Sequence, residues 1–335
     1  MKAVVVNAPG GPEVLNIEER PIPQAEAGKV LIHVRAFGLN HSEVVTRAGG
    51  SGGMVKFPRV LGIELVGEVV DAPGSDLQPG QRVLAMSAGL GRDIDGGYAE
   101  YTLVPERAVV PVNTELEWSQ LAAVPMTFGT ARGTVDKIMP NEGETVLVHG
   151  GSTAVGIAVI ALAKERGATV IATTRREGKR AALEKAGADH VLVLDNDPTD
   201  AVRALFPDGV DALAEFIGPD AMQEALQSVK RGGKACITGF LAGYPPFGPD
   251  GKPVLSDVKA VADKRDISFS FFGSNVLNRE QFGEIYQEIV DAIESGRVST
   301  NIDRIFALGD IAEAHRYMDE YRAAGKLVVD LTIDA

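Results

Sequence analysis

The middle of the chain alternates between apolar strands and helical segments, and this alternation constrains the fold more than any other feature. ETVLVHGG, from residue 144, predicts a buried strand, AVGIAVIALAKERGA a helix and TVIATTRR a second strand. Another helix, EGKRAALEKAGA, and a third strand, DHVLVL, continue the pattern. Alternation at this spacing is typical of βαβ units and a parallel sheet. The near-continuous apolar strands indicate a sheet that is covered on both faces.

The first 120 residues follow a different pattern. Short strand-like runs such as KAVVV, KVLIHVRAF and ELVGEVVD are bounded by Gly and Pro turn signals, which predicts a compact β-rich domain, a small barrel. The final stretch, from TNIDRIF to GKLVVDL, returns to a strand, an amphipathic helix and a strand, and we expect it to pack on this domain. The predicted domains are residues 1–122 with 300–335, and residues 123–299.

Composition and charge argue against several classes of protein. The 335 residues carry a formal net charge of −13 without a Lys/Arg-rich run, which argues against nucleic-acid binding. No stretch reaches the roughly 20 apolar residues that span a bilayer, and the start MKAVVVNAPGG lacks a signal-peptide core, so we expect a cytoplasmic protein without a membrane segment. Cys236 is the only cysteine, which rules out an intramolecular disulfide and a four-cysteine zinc site. We expect it to be buried and inert.

A turn of small residues, GGSTAVG at 150–156, separates the first of these strands from its helix. Such a turn lets backbone N–H groups approach a pyrophosphate at the helix N-terminus, which predicts dinucleotide binding. The residues predicted to contact the dinucleotide are Gly151, Ser152, Thr153, Ala154 and Val155. The usual GxGxxG pattern is incomplete, because Thr153 and Ala154 stand where two glycines are often found. Tight turns are also Gly-rich for steric reasons alone, so the turn by itself leaves dinucleotide binding open.

The end of the second strand predicts which dinucleotide is bound. NAD-binding units carry an acidic residue roughly 20 residues past the glycine turn, where it accepts the ribose hydroxyls. Here the strand ends in Thr174, and the basic residues Arg175, Arg176 and Lys179 follow without a carboxylate at the tip. Because these cations suit a phosphate, we predict that Thr174, Arg175 and Lys179 contact NADP(H). The alternative is a solvated basic start to a surface helix, which the helix dipole disfavours.

Landmarks along nearly the whole chain resemble those of one superfamily. They include MKAVVVNAPGGPEVL, FGLNHSEVVTRAGG, RVLGIELVGEVV, GGYAEY, AAVPMTFGTA, VLVHGGSTAVG and KAGADHVL. In their order and spacing they are similar to the medium-chain dehydrogenase/reductase superfamily. The resemblance implies an α/β fold, in which a GroES-like β-barrel catalytic domain is joined to a Rossmann domain with a doubly wound parallel sheet.

The positions that match the catalytic zinc ligands of this superfamily hold residues of different chemistry. Zinc alcohol dehydrogenases carry a cysteine at the position of Asn40, a histidine at that of Ile63 and a third ligand near Met126. Catalytic zinc needs three ligands drawn from His, Cys and carboxylates, which these residues do not supply. The chain therefore resembles the zinc-free quinone oxidoreductase branch, the zeta-crystallin-like proteins, and the resemblance implies that no metal is bound.

This branch implies an NADPH-dependent, zinc-independent oxidoreductase that transfers hydride to a quinone or an α,β-unsaturated carbonyl, and it implies a homodimer. Without a Lewis acid, acceptors that are already electrophilic need less activation than an alcohol or a simple ketone. Two alternatives stay open: a metal-free carbonyl or alcohol dehydrogenase of the same fold, and a poorly catalytic NADPH-binding protein. The incomplete glycine turn leaves a third, in which dinucleotide binding is impaired.

Three consecutive residues form the predicted catalytic group, Asn40, His41 and Ser42. The Asn40 amide could donate to a substrate carbonyl, or it could only order its loop. His41 is a candidate proton donor, because imidazole titrates near neutral pH. Ser42 matches a hydroxyl of the alcohol dehydrogenase proton relay, although a lone serine at a helix start is more often a cap. Arg47 and Glu64 are predicted to be charge partners.

Further cofactor positions follow from the resemblance. Thr130 matches a threonine near the nicotinamide, and Gly239 ends a strand at the carboxyl edge of the sheet, where ligands lie in doubly wound folds. The segment that resembles the lining of the nicotinamide pocket is Phe272, Gly273 and Ser274. The loops at 49–57 and 241–262 are expected to determine the substrate.

Overall fold

The computed structural model describes residues 1–51, 55–195, 197–239 and 255–333. Parts of the two loops expected to determine the substrate, 52–54 and 241–254, lie outside the described residues. The chain forms two compact units, which we call the first unit and the second unit. The first unit is Met1–Gly129 with Ser274–Ala335, and the second unit is Thr130–Gly273.

The helices and strands are numbered in chain order over the described residues. The strands are β1 (Lys2–Val6), β2 (Leu15–Glu19), β3 (Lys29–Gly38), β4 (Arg59–Val60), β5 (Glu64–Asp71), β6 (Arg82–Met86), β7 (Tyr101–Pro105), β8 (Val109–Pro111), β9 (Thr145–His149), β10 (Thr169–Thr174), β11 (His190–Val193), β12 (Val210–Glu215), β13 (Val229–Ile237), β14 (Ser268–Phe271), β15 (Ile302–Phe306) and β16 (Lys326–Asp330). The α-helices are α1 (His41–Arg47), α2 (Trp118–Ala122), α3 (Pro125–Ile138), α4 (Ala154–Glu165), α5 (Arg180–Lys185), α6 (Thr199–Leu205), α7 (Pro219–Ala225), α8 (Leu255–Lys264), α9 (Arg279–Glu294) and α10 (Ile311–Asp319). None of these helices is both long and apolar enough to cross a membrane.

The first unit is the GroES-like domain and contains two sheets. The larger has seven strands in the order β15-β16-β3-β5-β6-β8, with β7 also paired to β3, and the smaller has the order β2-β1-β4. Buried side chains of these strands and of the segments between them form one apolar core, to which Val4, Leu65 and Tyr98 belong. β16 pairs with β3 through Val329 and Phe37, which confirms that the C-terminal stretch packs on the first domain.

The second unit is built on one parallel sheet. Its six strands follow the order β11-β10-β9-β12-β13-β14, so that the second half of the sheet starts beside β9. This is the doubly wound order of dinucleotide-binding domains, and it confirms the predicted Rossmann fold. Because the strands are parallel, the carboxyl ends of β9, β10 and β12 lie at the same edge. Cys236 in β13 is fully buried, as predicted.

The predicted domain boundaries differ from this division, because helix α9 belongs to the first unit. The Tyr286 hydroxyl donates to the Pro125 carbonyl at 2.5 Å. The Gln287 side chain bonds both backbone groups of Asn113 at 2.9 Å. The amphipathic pattern of α9 predicts that one face is buried, but it does not tell which domain covers that face.

Gly67 in β5 lies where the neighbouring strand β3 leaves no room for a side chain. A Cβ at this position would lie 2.1 Å from the His33 carbonyl oxygen and 2.9 Å from Ile32 Cγ2. We predict that Gly67→Ala lowers the free energy of unfolding by about 1–3 kcal/mol, the usual cost of overpacking. Gly283→Ala is the control, because nothing lies within 4 Å of its added Cβ in α9, and it should raise that free energy by about 1 kcal/mol. Urea unfolding measures both, and equal effects would show that close packing is not the cause.

Candidate active site

The predicted catalytic residues lie at the start of α1. Asn40 is the N-cap, with an extended backbone, and its N–H donates to Glu43 Oε2 at 2.8 Å. The prediction that Ser42 caps the helix is wrong, because Ser42 is the second helical residue. In a capping box, the side chain of the third helical residue accepts the N–H of the N-cap three positions earlier. Here the third helical residue is Glu43, so the cap is Asn40. The Ser42 Oγ is buried and has no hydrogen-bond partner among the described residues.

Glu43 is a buried carboxylate that organises the backbone around it. Its Oε1 accepts the Ile63 N–H at 2.8 Å. Its Oε2 accepts the Tyr98 hydroxyl at 2.6 Å in addition to the Asn40 N–H. Burial raises the pKa of the Glu43 carboxyl, and the three hydrogen bonds lower it in part. Glu43 thus joins α1 to Tyr98 and to the segment that precedes β5.

A line of hydrogen bonds continues from Tyr98 to helix α10. The Tyr98 oxygen lies 3.1 Å from His315 Nε2, and His315 Nδ1 lies 3.0 Å from Arg47 Nη1. Because an arginine only donates, Nδ1 is the acceptor and the ring proton is on Nε2. Burial, together with the Arg47 charge, lowers the pKa of His315 to about 3, so the ring is neutral at pH 7. Burial and the Glu43 charge raise the pKa of Tyr98 well above its usual value, which keeps its hydroxyl proton in place.

A buried ion pair contacts the Asn40 side chain. Lys326 Nζ lies 2.6 Å from Glu64 Oε1, and these side chains are 1% and 0% exposed. Lys326 also donates to Asn40 Oδ1 at 2.9 Å, and Asn40 Nδ2 donates to Glu64 Oε1 at 2.8 Å. The second oxygen of Glu64 accepts the Met126 N–H at 2.8 Å. Sequence reasoning missed Lys326. The signal was available, because a lysine that begins the apolar strand KLVVD is expected to be buried, and a buried lysine needs a charged partner.

The predicted partnership between Arg47 and Glu64 is wrong. Arg47 bonds both oxygens of the Asp319 carboxylate, at 2.9 and 3.2 Å, whereas Glu64 pairs with Lys326. Both partners lie in the C-terminal stretch, 272 and 262 residues further along the chain. The sequence does not show which distant elements pack against α1 and β5, and therefore it did not reveal either partner.

His41 is half-buried at the first position of α1. Its ring centre lies 5.5 Å from that of Tyr321. Burial lowers the pKa of His41, and the Asp319 charge offsets this in part. The neutral imidazole is therefore the main form at pH 7, and the role of His41 as a proton donor stays a prediction.

In the second unit, the turn GGSTAVG connects β9 to α4. Thr153 is the N-cap of α4, and its Oγ1 accepts the Gly156 N–H at 2.9 Å. Gly156 has no room for a side chain, because a Cβ would lie 2.8 Å from the carbonyl oxygens of the two preceding turn glycines. Thr153, where a glycine is often found, thus supplies a cap to a compact turn. The N–H groups of Ala154 and Val155 lie in the first helical turn, where a helix offers no acceptor, and suit an anion.

The tip of β10 contacts this turn through two threonines. The Thr173 Oγ1 accepts the Gly150 N–H at 3.0 Å. The Thr174 hydroxyl donates to Ser152 Oγ at 3.4 Å. The structure therefore brings together Ser152, which was predicted from the turn, and Thr174, which was predicted from the strand tip.

The segment after β10 is positively charged. Arg175 and Arg176 are exposed, and Lys179 is half-buried. The one carboxylate of residues 173–180, Glu177, is bound by Arg180, with 2.5 Å between Oε1 and Nε. Glu177 therefore pairs within its own segment, with Arg180.

The other predicted cofactor residues lie at several points of the chain. Thr130 is buried in α3, and Gly239 is exposed shortly after β13. Phe272 is buried, and with Gly273 it forms the end of the second unit. Ser274 begins the second segment of the first unit. Their roles toward a cofactor stay predictions.

Sequence reasoning missed a buried pair at the carboxyl edge of the sheet. His149, the last residue of β9, lies with Nδ1 2.6 Å from Glu215 Oε2 at the end of β12. These side chains are 5% and 0% exposed. The other Glu215 oxygen accepts the N–H groups of Ile217 and Gly218, at 2.5 and 3.3 Å. The sequence signal for this pair is the carboxylate at the end of the apolar strand VDALAE. A buried carboxylate requires hydrogen-bond donors, so a partner should have been expected.

The residues at the positions that match zinc ligands do not fit a metal. The Asn40 Oδ1 accepts a hydrogen bond from the Lys326 ammonium, which would repel a divalent cation beside it. Ile63 offers only its backbone, whose N–H is bound to Glu43. Within the part of the chain that the structure describes, no group of three or more His, Cys, Asp or Glu side chains could hold a metal ion.

Two family models match the chain, one in each half. The model described as Alcohol dehydrogenase GroES-like domain matches residues 26–114, and the model described as Zinc-binding dehydrogenase matches residues 154–291. Their order along the chain agrees with the GroES-like first unit and the doubly wound second unit. The chain belongs to the medium-chain dehydrogenase/reductase superfamily. The description of the second model concerns the family as a whole, and this member has changed residues at the zinc positions.

Relatives of this medium-chain dehydrogenase/reductase place it in the quinone oxidoreductase branch. Quinone oxidoreductase of Rattus norvegicus is 28% identical over 334 residues, covering 98% of this chain and 96% of that protein. The 2-haloacrylate reductase of Burkholderia sp is 27% identical over 338 residues, with 98% of each chain covered. The structure of mycobacterial Rv1454c complexed with NADPH is 27% identical, has a TM-score of 0.82 and covers 98% of this chain and 99% of that one. The protein is an oxidoreductase of this superfamily.

We predict that His315 makes this medium-chain dehydrogenase/reductase less stable in acid. Between pH 6.5 and about 3 the unfolded chain binds a proton that the folded protein excludes, so the free energy of unfolding falls as the pH falls. His315→Gln keeps one donor and one acceptor but does not titrate. In this variant the fall in the free energy of unfolding between pH 7 and pH 5 should be about 2 kcal/mol smaller than in the unchanged protein. Urea unfolding at both pH values measures this, and equal losses in the two proteins would show that folded His315 takes up the proton.

Proposed function

We propose that the protein is an NADPH-dependent, zinc-independent oxidoreductase that reduces a quinone or an α,β-unsaturated carbonyl. The observation that carries the proposal is the set of residues at the zinc-ligand positions, Asn40, Ile63 and Met126. Without a metal to polarise it, an alcohol or a simple ketone is a difficult substrate, whereas an electrophilic acceptor needs less activation. The relatives named quinone oxidoreductase and 2-haloacrylate reductase support an acceptor of this class.

NADPH is proposed over NADH because of the charge at the end of β10. The position where NAD-binding units carry an acid is Thr174, and the exposed guanidiniums of Arg175 and Arg176 follow it. A guanidinium binds a phosphate in a bidentate manner, and the N-terminus of α4 suits the pyrophosphate. The related Rv1454c structure, which is complexed with NADPH, supports this choice. When bound, the nicotinamide would supply the hydride.

In the proposed reaction, side chains at the start of α1 stabilise the charge that develops on the acceptor. The Asn40 amide donates to the acceptor's carbonyl oxygen as this oxygen becomes negative. The reduction takes up one hydride and one proton, the hydride at the β-carbon of an enone or on the quinone. The two proposed sources of the proton are solvent and the imidazolium form of His41, which is the minor form at pH 7 because burial lowers the pKa of His41.

The homodimer, which the resemblance implies, and the cytoplasmic location, which was expected from the sequence composition, stay predictions. Light scattering, which gives the mass in solution, tests the homodimer. The rival functions are a metal-free alcohol dehydrogenase and a poorly catalytic NADPH-binding protein. An assay with several acceptors separates both from the proposed function.

We predict that chelator-treated protein oxidises NADPH with a small quinone at least tenfold faster than it oxidises NADH. The reason is that an extra phosphate bond to a charged group contributes about 1.5–3 kcal/mol. Cofactor absorbance measures both rates, with an enone and a simple alcohol as further substrates. Turnover of the alcohol alone would favour the metal-free dehydrogenase. Tight NADPH binding without hydride transfer to any acceptor would favour the binding protein, and loss of activity on chelation would contradict zinc independence.

We predict that Arg175→Ala lowers kcat/KM for NADPH about tenfold and leaves kcat/KM for NADH within twofold, because NADH lacks the phosphate that this guanidinium binds. Arg231→Ala is the matched control, since Arg231 is also an exposed arginine of the second unit but lies in the first half of β13. It should leave both values unchanged. An equal loss with both cofactors in Arg175→Ala would contradict a phosphate contact and indicate a general effect on the turn.

A further inference from the structure

We propose that Lys326 is a positioning residue that acts through Asn40: with Glu64 it holds the Asn40 amide in the one orientation that leaves an N–H for the substrate. This inference rests on the proposed function, in which Asn40 donates to the acceptor oxygen. Lys326 would not itself touch the substrate. Its part in catalysis would be to decide whether position 40 offers a donor or an acceptor.

The chemistry of the two neighbours determines the amide orientation. The Lys326 ammonium can only donate, and the Glu64 carboxylate can only accept. Lys326 Nζ lies 2.9 Å from Asn40 Oδ1, and Glu64 Oε1 lies 2.8 Å from Asn40 Nδ2. A flipped amide would place its NH2 against the ammonium and its oxygen against the carboxylate, which is unfavourable at both contacts.

This orientation leaves half of the Asn40 donor capacity unused. An amide nitrogen carries two hydrogens, and Glu64 accepts one of them. Among the described residues no acceptor is bonded to the second hydrogen, while the Asn40 oxygen is occupied by Lys326. Position 40 can therefore present an N–H to a ligand. With the opposite orientation it would present a carbonyl oxygen, which repels a developing oxyanion.

The ion pair itself is held firmly in place. The second Glu64 oxygen accepts the Met126 N–H at 2.8 Å. Gly38 makes room for the pair, because a Cβ there would lie 2.5 Å from Glu64 Oε1 and closer still to the Lys326 side chain. A buried ion pair is weak evidence for stability but a good means of specifying one arrangement. The geometry thus favours orientation of Asn40 over simple stabilisation as the role of Lys326.

The test is a double-mutant cycle between the ion pair and Asn40. Lys326→Met with Glu64→Gln removes both charges, leaves no buried charge unpaired, and lets the Asn40 amide flip, since a glutamine amide both donates and accepts. We expect kcat with NADPH and a small quinone to fall at least tenfold in this variant. In an Asn40→Ala background the same two changes should alter kcat less than twofold. An equal factor in both backgrounds would show that the pair does not act through Asn40.

A matched control is the exposed ion pair of Lys29 and Glu26 in the same unit, with 2.5 Å between Nζ and Oε1. Lys29→Met with Glu26→Gln makes the same chemical changes and should leave kcat within twofold in both backgrounds. Urea unfolding of every variant identifies any loss of fold. If the protein without the ion pair does not fold, Lys326→Arg is the test variant. Arginine is also a cation that only donates, so this variant should retain most of kcat. A tenfold loss of kcat would overturn the proposal.

A second readout separates this inference from the proposed function. In the 1H–15N spectrum, the Asn40 side-chain NH2 signals are identified by their loss in Asn40→Ala. We expect one of the two protons to be shifted downfield by the carboxylate, and the two shifts to converge when the pair is removed. Signals that do not respond to pair removal would overturn the orientation by Lys326 whatever the activity. If the signals respond to pair removal but the unchanged protein reduces neither quinones nor enones, the orientation of Asn40 by Lys326 is upheld and the proposed function is rejected.

Discussion

Two buried carboxylates, Glu43 and Glu64, hold the first unit together around the start of α1. Each accepts hydrogen bonds from three donors. Glu43 accepts two backbone N–H groups and the Tyr98 hydroxyl, and Glu64 accepts the Lys326 ammonium, the Asn40 amide and a backbone N–H. A buried charge is tolerated only when it is paired and hydrogen-bonded, so the elements that supply these donors must assemble in one arrangement. Asn40 contacts both carboxylates, with its backbone and its side chain.

The same electrostatics connect the fold to the chemistry. In this member of the superfamily the positive charge next to position 40 is an ammonium on β16, and its charge is balanced by Glu64. This ammonium is 1% exposed and donates to Glu64 and Asn40, so it is not open to a substrate oxygen as the free position of a metal site is. In the proposed reaction, hydrogen bonds stabilise the developing oxyanion, and for this reason the orientation of the Asn40 amide would matter.

The second unit depends on sterics more than on charge. Helix α4 starts close to the turn after β9, and Gly156 allows this approach because it has no side chain. Thr153 shows that the incomplete glycine pattern is compatible with the turn, since its hydroxyl caps the helix. The basic residues that we propose to distinguish the two cofactors are separate from the turn and follow β10. Under this proposal the turn binds the pyrophosphate, and the residues after β10 bind the further phosphate of NADPH.

The sequence alone determined the features that short stretches encode. Strand–helix periodicity predicted the parallel sheet, and small or basic residues marked the turn and the tip of β10. Changed residues at the zinc positions drew attention to Asn40. Only the tertiary structure decided that α9 belongs to the first unit, that Arg47 binds Asp319, and that Lys326 binds Glu64. The physical reason is that a sequence pattern shows which side chains must be buried or paired, whereas the partner is chosen by packing between elements more than 250 residues apart.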